Sequence, residues 1–283
     1  MSISRQNLSV IIVSFKSDKV IHDCIRSIDS EIEIIVVDNS NNKDFKETIE
    51  KKYENVRCIL SEQNIGMGAG NNLGIKNTNK DFALILNPDV TLEINAFEEI
   101  IKASNTIDNF GLMAPISSNL EYPNYKADNP DTINPFKVKS IDGYAMLLNL
   151  KKLRQIKDFN FFDENFFLYL ENDDLCLRIK KKKQNIYIIK NALISHKGGI
   201  SQNRELEYLR NWHWMWSKFY FNKKHYGAIN ALKKIIFNLL SANLKYLTYL
   251  LIFNKHKTKI YKMRILGLIN SILGKKSSYR LKD

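Results

Sequence analysis

An acidic turn after a buried strand is the feature of this sequence with the clearest chemistry. Residues 82–86 are all apolar, and Asn87, Pro88 and Asp89 follow them directly. Pro88 has no N–H and ends the strand, and ligands of open α/β sheets bind at the carboxyl ends of strands. A carboxylate there, beside an amide oxygen, can hold a divalent cation that also binds substrate phosphates. The alternative is a turn in which Asp89 or Thr91 caps the next helix.

A second apolar strand, residues 33–37, also ends on a carboxylate, Asp38. Two strand-end carboxylates suggest a nucleotide ligand, because one can accept hydrogen bonds from a base or ribose while the other holds a metal.

Three glycines, Gly66, Gly68 and Gly70, follow the third strand with the spacing GxGxG. A dinucleotide-binding fingerprint needs GxGxxG after the first strand, so this pattern argues against one. No GKS or GKT occurs, which excludes a P-loop. The alternative is that these glycines allow a tight turn and close helix packing.

Two further polar groups could take part in catalysis or ligand binding. Residues 171–174, Glu-Asn-Asp-Asp, open a helix, where a carboxylate could take a proton from an attacking hydroxyl or could simply cap the helix. His196 precedes Gly198 and Gly199 and could ligate a metal or bind a diphosphate.

The elements that must position these residues alternate between strand and helix. Apolar strands are predicted at 9–14, 33–37, 56–60 and 82–86. Helices are predicted at 20–28 and 46–53, and residues 64–74 form a glycine-rich turn that runs into a third helix. This order predicts an α/β fold with a mostly parallel sheet and helices on both faces. Further on, the sequence predicts helices at 93–103, from 171 and at 205–221, strands at 140–150 and 186–189, and an irregular stretch between 104 and 139.

The positive charge is concentrated in one part of the chain. The sequence has 43 Lys and Arg against 30 Asp and Glu, a net charge of +13. Residues 221–283 hold 14 of the basic residues and one acid, so the rest of the chain is neutral. Amphipathic segments at 228–253 and 260–273 predict helices on an anionic membrane surface. The alternative is that these helices pack on the rest of the protein.

The three cysteines, Cys24, Cys58 and Cys176, show no metal-ligand spacing, and residues 1–6 lack the apolar core of a signal peptide. Both observations predict a cytoplasmic protein without disulfides.

Over residues 8–215 the sequence resembles the family 2 inverting glycosyltransferases, and within them the rhamnosyltransferase-like branch. The motifs that carry the resemblance keep the family order: Val36-Val37-Asp38-Asn39-Ser40, Asn64-x-Gly66 with Asn71-Asn72-x-Gly74, Asn87-Pro88-Asp89, Asp142-Gly143, Tyr169-x-Glu171 with Asp174-Leu175-Cys176-x-Arg178, and His196 with Gly199-x-Ser201.

The resemblance implies a GT-A fold, a nucleotide-diphosphate sugar donor and Mg²⁺ or Mn²⁺ held by Asp89 and His196. The implied donor-binding residues are Ser14, Phe15, Asp38, Asn64, Gly66, Asn72, Asn87, Asp89 and Gly143. The sequence departs from the family where the catalytic base usually stands, because Asn172 is an amide and cannot accept that proton. Asp173 or Glu171 is therefore the predicted base, and Asp174 is predicted to place the acceptor.

The sequence thus predicts a GT-A domain at 1–220 and a basic helical tail at 221–283. It predicts transfer of a sugar, rhamnose by the branch resemblance, to a saccharide or lipid-linked saccharide at the cytoplasmic face of the membrane, in cell-surface polysaccharide synthesis. A weak or inactive nucleotide-sugar or glycan-binding relative is the alternative. Nucleic acid is not an expected partner, because the body is neutral and the tail is apolar. Nothing in the sequence indicates the oligomeric state.

Overall fold

The structure is a computed structural model that describes residues 2–107, 109–119, 121–127, 133–198 and 204–280. It divides into two compact units. The sheet unit is Met1–Asp163 with Asn172–Gly198, and the helical unit is Glu164–Glu171 with Gly199–Asp283. The sequence predicts a domain boundary at residue 220. That residue lies inside one continuous helix, Arg204–Tyr226.

Among its described residues the sheet unit contains eleven strands, five α-helices and most of a sixth. The strands are β1 (Leu8–Ser14), β2 (Glu33–Asp38), β3 (Val56–Leu60), β4 (Phe82–Leu86), β5 (Val90–Leu92), β6 (Leu112–Ser117), β7 (Tyr125–Lys126), β8 (Phe136–Lys137), β9 (Ser140–Ile141), β10 (Ala145–Asn149) and β11 (Ile186–His196). The helices are α1 (Ile21–Arg26), α2 (Lys43–Lys52), α3 (Gly66–Lys76), α4 (Ala96–Thr106), α5 (Leu150–Arg154) and α6 (Glu171–Lys181).

The main sheet has the strand order β3-β2-β1-β4-β10-β6-β11-β5, with β8 paired to β11. Strands β3, β2, β1 and β4 are parallel, whereas β10 runs antiparallel to both of its neighbours. The start of β10 therefore lies at the edge where β1, β2 and β4 end. That edge collects the residues of the candidate site.

Each face of the sheet has its own core because side chains alternate along a strand. Leu8, Val10 and Ile12 of β1 belong to one core, and Ile11 and Val13 belong to the other. Helices α1, α2 and α4 cover the first face, and α3, α5 and α6 cover the second. The predicted α/β sheet with helices on both faces is confirmed.

Four strands lie where the sequence predicts none, namely β5, β6 and the two-residue strands β7 and β8. Residues 90–92 form β5, so the alternative in which Asp89 or Thr91 caps a helix is wrong. Leu112–Ser117 forms β6 despite Pro115. Proline is tolerated where strand pairing is incomplete, and β10 pairs with β6 only at Leu112 and Met113.

Two other strands have different limits from the prediction. The predicted strand 140–150 is interrupted at Gly143, which separates β9 from β10. Strand β11 continues past Ile189 to His196 through an irregularity in its pairing with β6. The last residues of β11 are only partly buried, so they do not form a continuous apolar run. The sequence pattern therefore does not predict that the strand continues to His196.

The glycines of α3 serve close packing, as the alternative interpretation proposed. A Cβ atom on Gly70 would lie 2.8 Å from Val13 Cγ1, and one on Gly74 would lie 2.4 Å from Ile11 Cγ2. Gly66 has a φ of +86°, which a glycine adopts at little cost. The chain can therefore turn sharply at Gly66, and helix α3 packs directly on β1.

The helical unit contains α7 (Arg204–Tyr226), α8 (Ala228–Leu251) and α9 (Lys255–Ile272). Its small core is formed by Met215, Phe219, Ala231, Ile235 and Leu268. Three aromatic residues of α7 are buried, namely Trp212, Trp216 and Phe219. None of the described helices is both long and apolar enough to cross a membrane.

Candidate active site

The candidate site lies in the sheet unit, at the edge where β1, β2 and β4 end. Ser14 and Asp38 are register partners at the ends of β1 and β2. The turn after β4 reaches the start of β10, where the N–H of Asn87 donates to the carbonyl of Tyr144 at 2.9 Å. Antiparallel pairing of β5 with β11 sets Val90 opposite His196. Residues distant in sequence thus meet at one edge.

Asp89 and His196 form the centre of the site. The Oδ2 atom of Asp89 lies 3.4 Å from Nε2 of His196, and both side chains are partly exposed. The backbone N–H of Lys197 donates to the carbonyl of Asp89 at 3.1 Å, so the two loops are joined by the main chain as well. The sequence predicts both residues as metal ligands, and the structure brings them together.

The ring of Tyr144 stacks on His196, with ring centroids 4.0 Å apart and an interplanar angle of 23°. Burial raises the pKa of the Tyr144 hydroxyl, against the opposing effect of Ser117. Tyr144 follows the Asp142-Gly143 motif in the sequence, and the structure shows that its ring lies against the imidazole.

Asn87 presents a buried polar atom toward the same turn. Its side-chain Oδ1 has no hydrogen-bond partner among the described residues. An unpaired buried acceptor is costly, so this oxygen is a position where a ligand or water would be stabilised. The nearby Cys24 thiol donates to the Asn87 carbonyl at 3.6 Å, and burial raises the pKa of Cys24 to about 12. The thiol is therefore neutral and not a thiolate ligand.

These donors fit a divalent cation that takes its remaining ligands from a substrate. No group of three or more His, Cys, Asp or Glu suited to a metal occurs in the described ranges, so the protein supplies the pair Asp89 and His196. An imidazole beside a carboxylate suits a transition metal better than Mg²⁺, which prefers oxygen ligands alone.

A second acidic group lies on the segment between β9 and β10. Burial raises the pKa of Asp142; Asp173 adds to this effect, whereas Lys126 and His196 oppose it. The Nζ of Lys126 is 3.0 Å from Oδ1 of Asp173, whose side chain is partly exposed. One lysine, Lys126, thus acts electrostatically on two carboxyl groups, Asp142 and Asp173.

Asn172 occupies the start of α6 and is held in place by its own amide. Its Nδ2 donates to the carbonyl of Ile141 at 2.8 Å, and a Cβ on Gly143 would lie 3.3 Å from Asn172 Cβ. Gly143 is a predicted donor-binding residue. Because it has no Cβ atom, Asn172 can pack close to the segment between β9 and β10. Asn172, which departs from the motif of the resembling family, is therefore fixed by its contacts with Ile141 and Gly143.

Asp174 differs sharply from Asp173. It is fully buried, and its Oδ2 accepts from Arg178 Nε at 2.7 Å. Arg178 also donates to the carbonyls of Asn160 and Phe161. The pair anchors the 160–161 segment on α6, so the geometry gives Asp174 a structural role and leaves no exposed oxygen to place an acceptor.

Glu171 belongs to the helical unit, and its side chain is buried. The two residues before it, Tyr169 and Leu170, both have left-handed backbone conformations, with φ of +71° and +65°. Such conformations are unfavourable for non-glycine residues and cluster at functional sites. The ring of Tyr169 packs edge-on against Trp214, with centroids 5.4 Å apart.

Ser14, like Asn87, is a predicted donor-binding residue with an unsatisfied side-chain oxygen among the described residues. Its Oγ is buried without a hydrogen-bond partner in the part of the chain described. Phe15 follows it in a loop closed by Ser17. Asp38 is buried, and its carboxylate accepts from the backbone N–H groups of Ser40 and Asn42 at 3.2 and 2.9 Å. Asp38 thus shapes its own loop.

The remaining predicted donor-binding residues also make intramolecular bonds. Asn64 Oδ1 accepts from the Gly66 N–H at 3.1 Å, which caps the turn into α3. The Asn72 amide pairs with both backbone groups of Phe162, each at 2.9 Å. Their place as donor ligands stays a prediction. Gly199 and Ser201 of the His196 motif lie outside the described residues.

Sequence reasoning did not select Asp142, Lys126 or Tyr144 as site residues. Asp142 and Tyr144 flank Gly143 in a motif that the sequence shows, which was the available signal. Lys126 had none, because only the antiparallel pairing of β7 with β9 brings it near α6.

Comparison with known proteins finds glycosyltransferases both by sequence and by fold. Residues 9–139 match the family model described as Glycosyl transferase family 2. The low-salt glycan biosynthesis hexosyltransferase Agl10 of Haloferax volcanii is 29% identical over 204 residues, which covers 64% of each chain. The chain thus spans slightly less than two thirds of the length of this relative.

Two solved structures show the fold. The mannosyltransferase PcManGT of Pyrobaculum calidifontis, in complex with GDP-Man and Mn²⁺, matches with a TM-score of 0.59 and 10% identity over 95% of this chain and 88% of that chain. GalNAc-T7 with UDP, GalNAc and Mn²⁺ matches with a TM-score of 0.56 and 12% identity over 77% of this chain and 51% of that chain. The chain therefore has the GT-A fold, and the sequence similarity to family 2 glycosyltransferases covers residues 9–139.

Proposed function

We propose that this protein transfers a sugar from a nucleotide-diphosphate donor to a saccharide or lipid-linked saccharide acceptor, with inversion at the anomeric carbon. The observation that carries the proposal is the Asp89–His196 pair, 3.4 Å apart at the carboxyl edge of the sheet. The match of residues 9–139 to family 2 glycosyltransferases supports it, as does the likeness to a glycan biosynthesis hexosyltransferase.

Asp89 and His196 would hold a divalent cation between the protein and the donor diphosphate. When bound, the cation supplies positive charge that stabilises the departing diphosphate. The buried oxygens of Asn87 and Ser14 stand ready to accept hydrogen bonds from donor hydroxyl groups. Tyr144 keeps the His196 ring in the orientation that places Nε2 beside Asp89.

Asp173 is the carboxylate best suited to act as base. It is partly exposed and held by Lys126 at 3.0 Å, whereas Asp174 is fully buried on Arg178. In a single displacement the Asp173 carboxylate takes the acceptor hydroxyl proton while that oxygen attacks the anomeric carbon, and the configuration inverts. Glu171 is the alternative base, and Asp142 is a further candidate because its raised pKa favours proton uptake.

Rhamnose as the donor sugar follows from the resemblance to the rhamnosyltransferase-like branch. Cell-surface polysaccharide synthesis at the cytoplasmic face of the membrane is the expected setting, with a lipid-linked acceptor. The excess of 14 basic residues over one acid in residues 221–283 supports an anionic surface as a partner.

One observation favours a second function, a nucleotide-sugar or glycan-binding protein without turnover. Asn172 stands where the family has its base, and its amide is fixed on the Ile141 carbonyl. If no nearby carboxylate replaces the missing base, donor binding remains but transfer does not.

A donor screen by thermal shift, with and without Mn²⁺, tests the proposed function. We expect one nucleotide sugar to raise the melting temperature in the presence of Mn²⁺ and Asp89→Ala to lose that rise. Asp44→Ala, which removes an exposed carboxylate on α2, is the matched control and should keep the rise. A wild-type protein that responds to no nucleotide sugar would overturn the proposal, and a response without transfer would support the binding protein.

A further inference from the structure

Helix α8 carries apolar side chains along the face turned away from the helical core. The exposed apolar residues of this face are Ile229, Leu232, Ile236, Phe237, Leu240, Leu244, Leu247, Leu250 and Leu251. Most recur at intervals of three, four or seven residues and therefore share one side of an α-helix. The buried residues Ala231, Ile235 and Ala242 occupy the other side. Exposed apolar patches of this extent mark interaction surfaces.

The turn from α8 to α9 extends this apolar face. Leu251, Ile252 and Phe253 are 77%, 61% and 88% exposed. Phe253 has a φ of +56°, a left-handed conformation that is unfavourable for a bulky residue. The chain thus holds its most exposed phenylalanine in a strained conformation with the ring in solvent. We call the α8 face together with residues 250–253 the α8 surface.

Basic side chains surround the α8 surface. Lys233, Lys234 and Lys245 are exposed on α8, and Lys255 and Lys257 follow the apolar turn directly. No acidic residue occurs between residues 221 and 282. An apolar face edged by lysines is complementary to an anionic phospholipid surface, where acyl chains and phosphates lie a few ångströms apart.

We propose that the α8 surface docks on an anionic phospholipid bilayer, with its apolar side chains in the headgroup region and the adjoining lysines on lipid phosphates. The proposal deepens the proposed function by assigning the membrane contact to particular residues, and it does not depend on transferase activity. Each lysine near an anionic surface strengthens binding about fivefold before screening. Each large apolar side chain that enters the membrane adds about tenfold or more.

A second copy of this chain is the other occupant that would cover an apolar face. Charge disfavours it, because two α8 surfaces packed together would bring both sets of lysines into the same region without acids between them. The bilayer offers the opposite charge and is the occupant that the surface fits.

Co-sedimentation of the full chain with vesicles, without donor or acceptor, tests the proposal. We expect binding to phosphatidylcholine vesicles that contain phosphatidylglycerol and little binding to pure phosphatidylcholine. Leu240→Gln with Leu244→Gln should weaken binding about 100-fold. Phe253→Asn should weaken it about tenfold without backbone strain, since asparagine tolerates the left-handed region. Lys255→Gln with Lys257→Gln should weaken binding to anionic vesicles by about tenfold or more.

Ser241→Gln with Thr248→Gln provides the matched control, because both residues are exposed polar positions on the same helix. The control should bind like the wild type, and all variants should retain the wild-type unfolding midpoint. Equal binding to neutral and anionic vesicles, or wild-type binding by the Leu240/Leu244 variant, would overturn the proposal. A wild-type dimer that the same variant converts to a monomer would assign the surface to self-association instead. None of these readouts requires sugar transfer, so failure of the proposed transferase function would be seen separately.

Discussion

The two units of this protein treat polar and apolar groups in opposite ways. The sheet unit buries long apolar strands and gathers polar side chains at one edge, where Asn87 and Ser14 keep buried oxygens without a partner among the described residues. The helical unit has a small core and leaves the apolar face of α8 in solvent. The unsatisfied polar atoms of the sheet unit indicate that it binds a small polar ligand. The exposed apolar atoms of the helical unit indicate that it binds a partner with a large apolar surface. The contrast suggests that the units meet different partners.

The largest expected effect is on catalysis in the sheet unit. Asp173→Asn should lower the turnover rate by about 10²–10⁴-fold, because a positioned base contributes that much. Donor binding should change little, since Asp173 pairs with Lys126 and not with the Asp89–His196 pair. The measurement is steady-state transfer with the donor found by the thermal screen. Lys126→Met is the companion variant, and full activity of Asp173→Asn would move the role to Glu171 or Asp142.

His196→Asn tests whether the histidine is a metal ligand. We expect about 100-fold weaker activation by Mn²⁺, because one of two protein donors is replaced by a weaker one. Tyr144→Phe keeps the ring that stacks on His196 and should retain most of the activation. Titration of activity with Mn²⁺ gives the measurement. An unchanged activation constant in His196→Asn would show that the imidazole does not bind the metal.

Close packing at glycine gives a comparison between the two units. A Cβ on Gly267 would lie 2.2 Å from the carbonyl oxygen of Trp212, whereas one on Gly74 would meet the side chain of Ile11 at 2.4 Å. A helix backbone cannot move aside locally, whereas the buried β-branched side chain of Ile11 can shift slightly. Gly267→Ala should therefore cost about 3 kcal/mol and Gly74→Ala about 2 kcal/mol.

Tryptophan fluorescence distinguishes these two variants, because all three tryptophans of the chain, Trp212, Trp214 and Trp216, lie on α7. Gly267→Ala should lower the midpoint of the fluorescence transition in urea. Gly74→Ala should lower the midpoint followed by circular dichroism more than the fluorescence midpoint. A larger cost for Gly74→Ala would contradict the difference between side chain and backbone.

A buried histidine predicts how the helical unit responds to acid. His213 is fully buried, with Nδ1 2.8 Å from Ser277 Oγ and Nε2 2.8 Å from the Tyr279 carbonyl. Burial lowers its pKa to about 3, with Arg280 adding to the effect and the Tyr279 bond opposing it. The unfolded chain takes up a proton near pH 6.5, so stability falls as the pH drops from about 6.5 to about 3.

The fluorescence midpoint as a function of pH checks this expectation. His213→Gln is neutral at every pH and should lose the decline between pH 6.5 and 3, although its stability at pH 7 is lower. A wild-type slope preserved in His213→Gln would contradict the assignment.

The smallest expected effect is at Asp142, and it has the opposite sign. Burial raises the pKa of this carboxyl group, so its ionised form destabilises the folded sheet unit above that pKa, and the penalty is relieved as the pH falls through it. Asp142→Asn should therefore be slightly more stable than the wild type at pH 7 and equal to it in acid. Thermal melts followed by circular dichroism give the measurement, and a less stable variant at pH 7 would contradict it.

Much of the sheet unit follows from the sequence alone. The apolar runs 9–14, 33–37, 56–60 and 82–86 form strands because their side chains must be buried on both faces, and the helices between them require parallel pairing. The polar residues after these runs meet at one edge for the same geometric reason. The sequence also determines that Asn172 cannot be a base and that the positive charge lies in residues 221–283.

Tertiary structure decides what no local pattern contains. Strand β5 has only three residues, and it exists because β11 continues to His196 and pairs with it. That pairing, and not any spacing in the chain, brings His196 to Asp89. Likewise Asp173 and Asp174 are neighbours of the same type in sequence, and only packing exposes one to Lys126 and buries the other on Arg178. Contacts between distant residues depend on the free energy of the whole fold, so local propensity determines the elements and long-range packing determines the site.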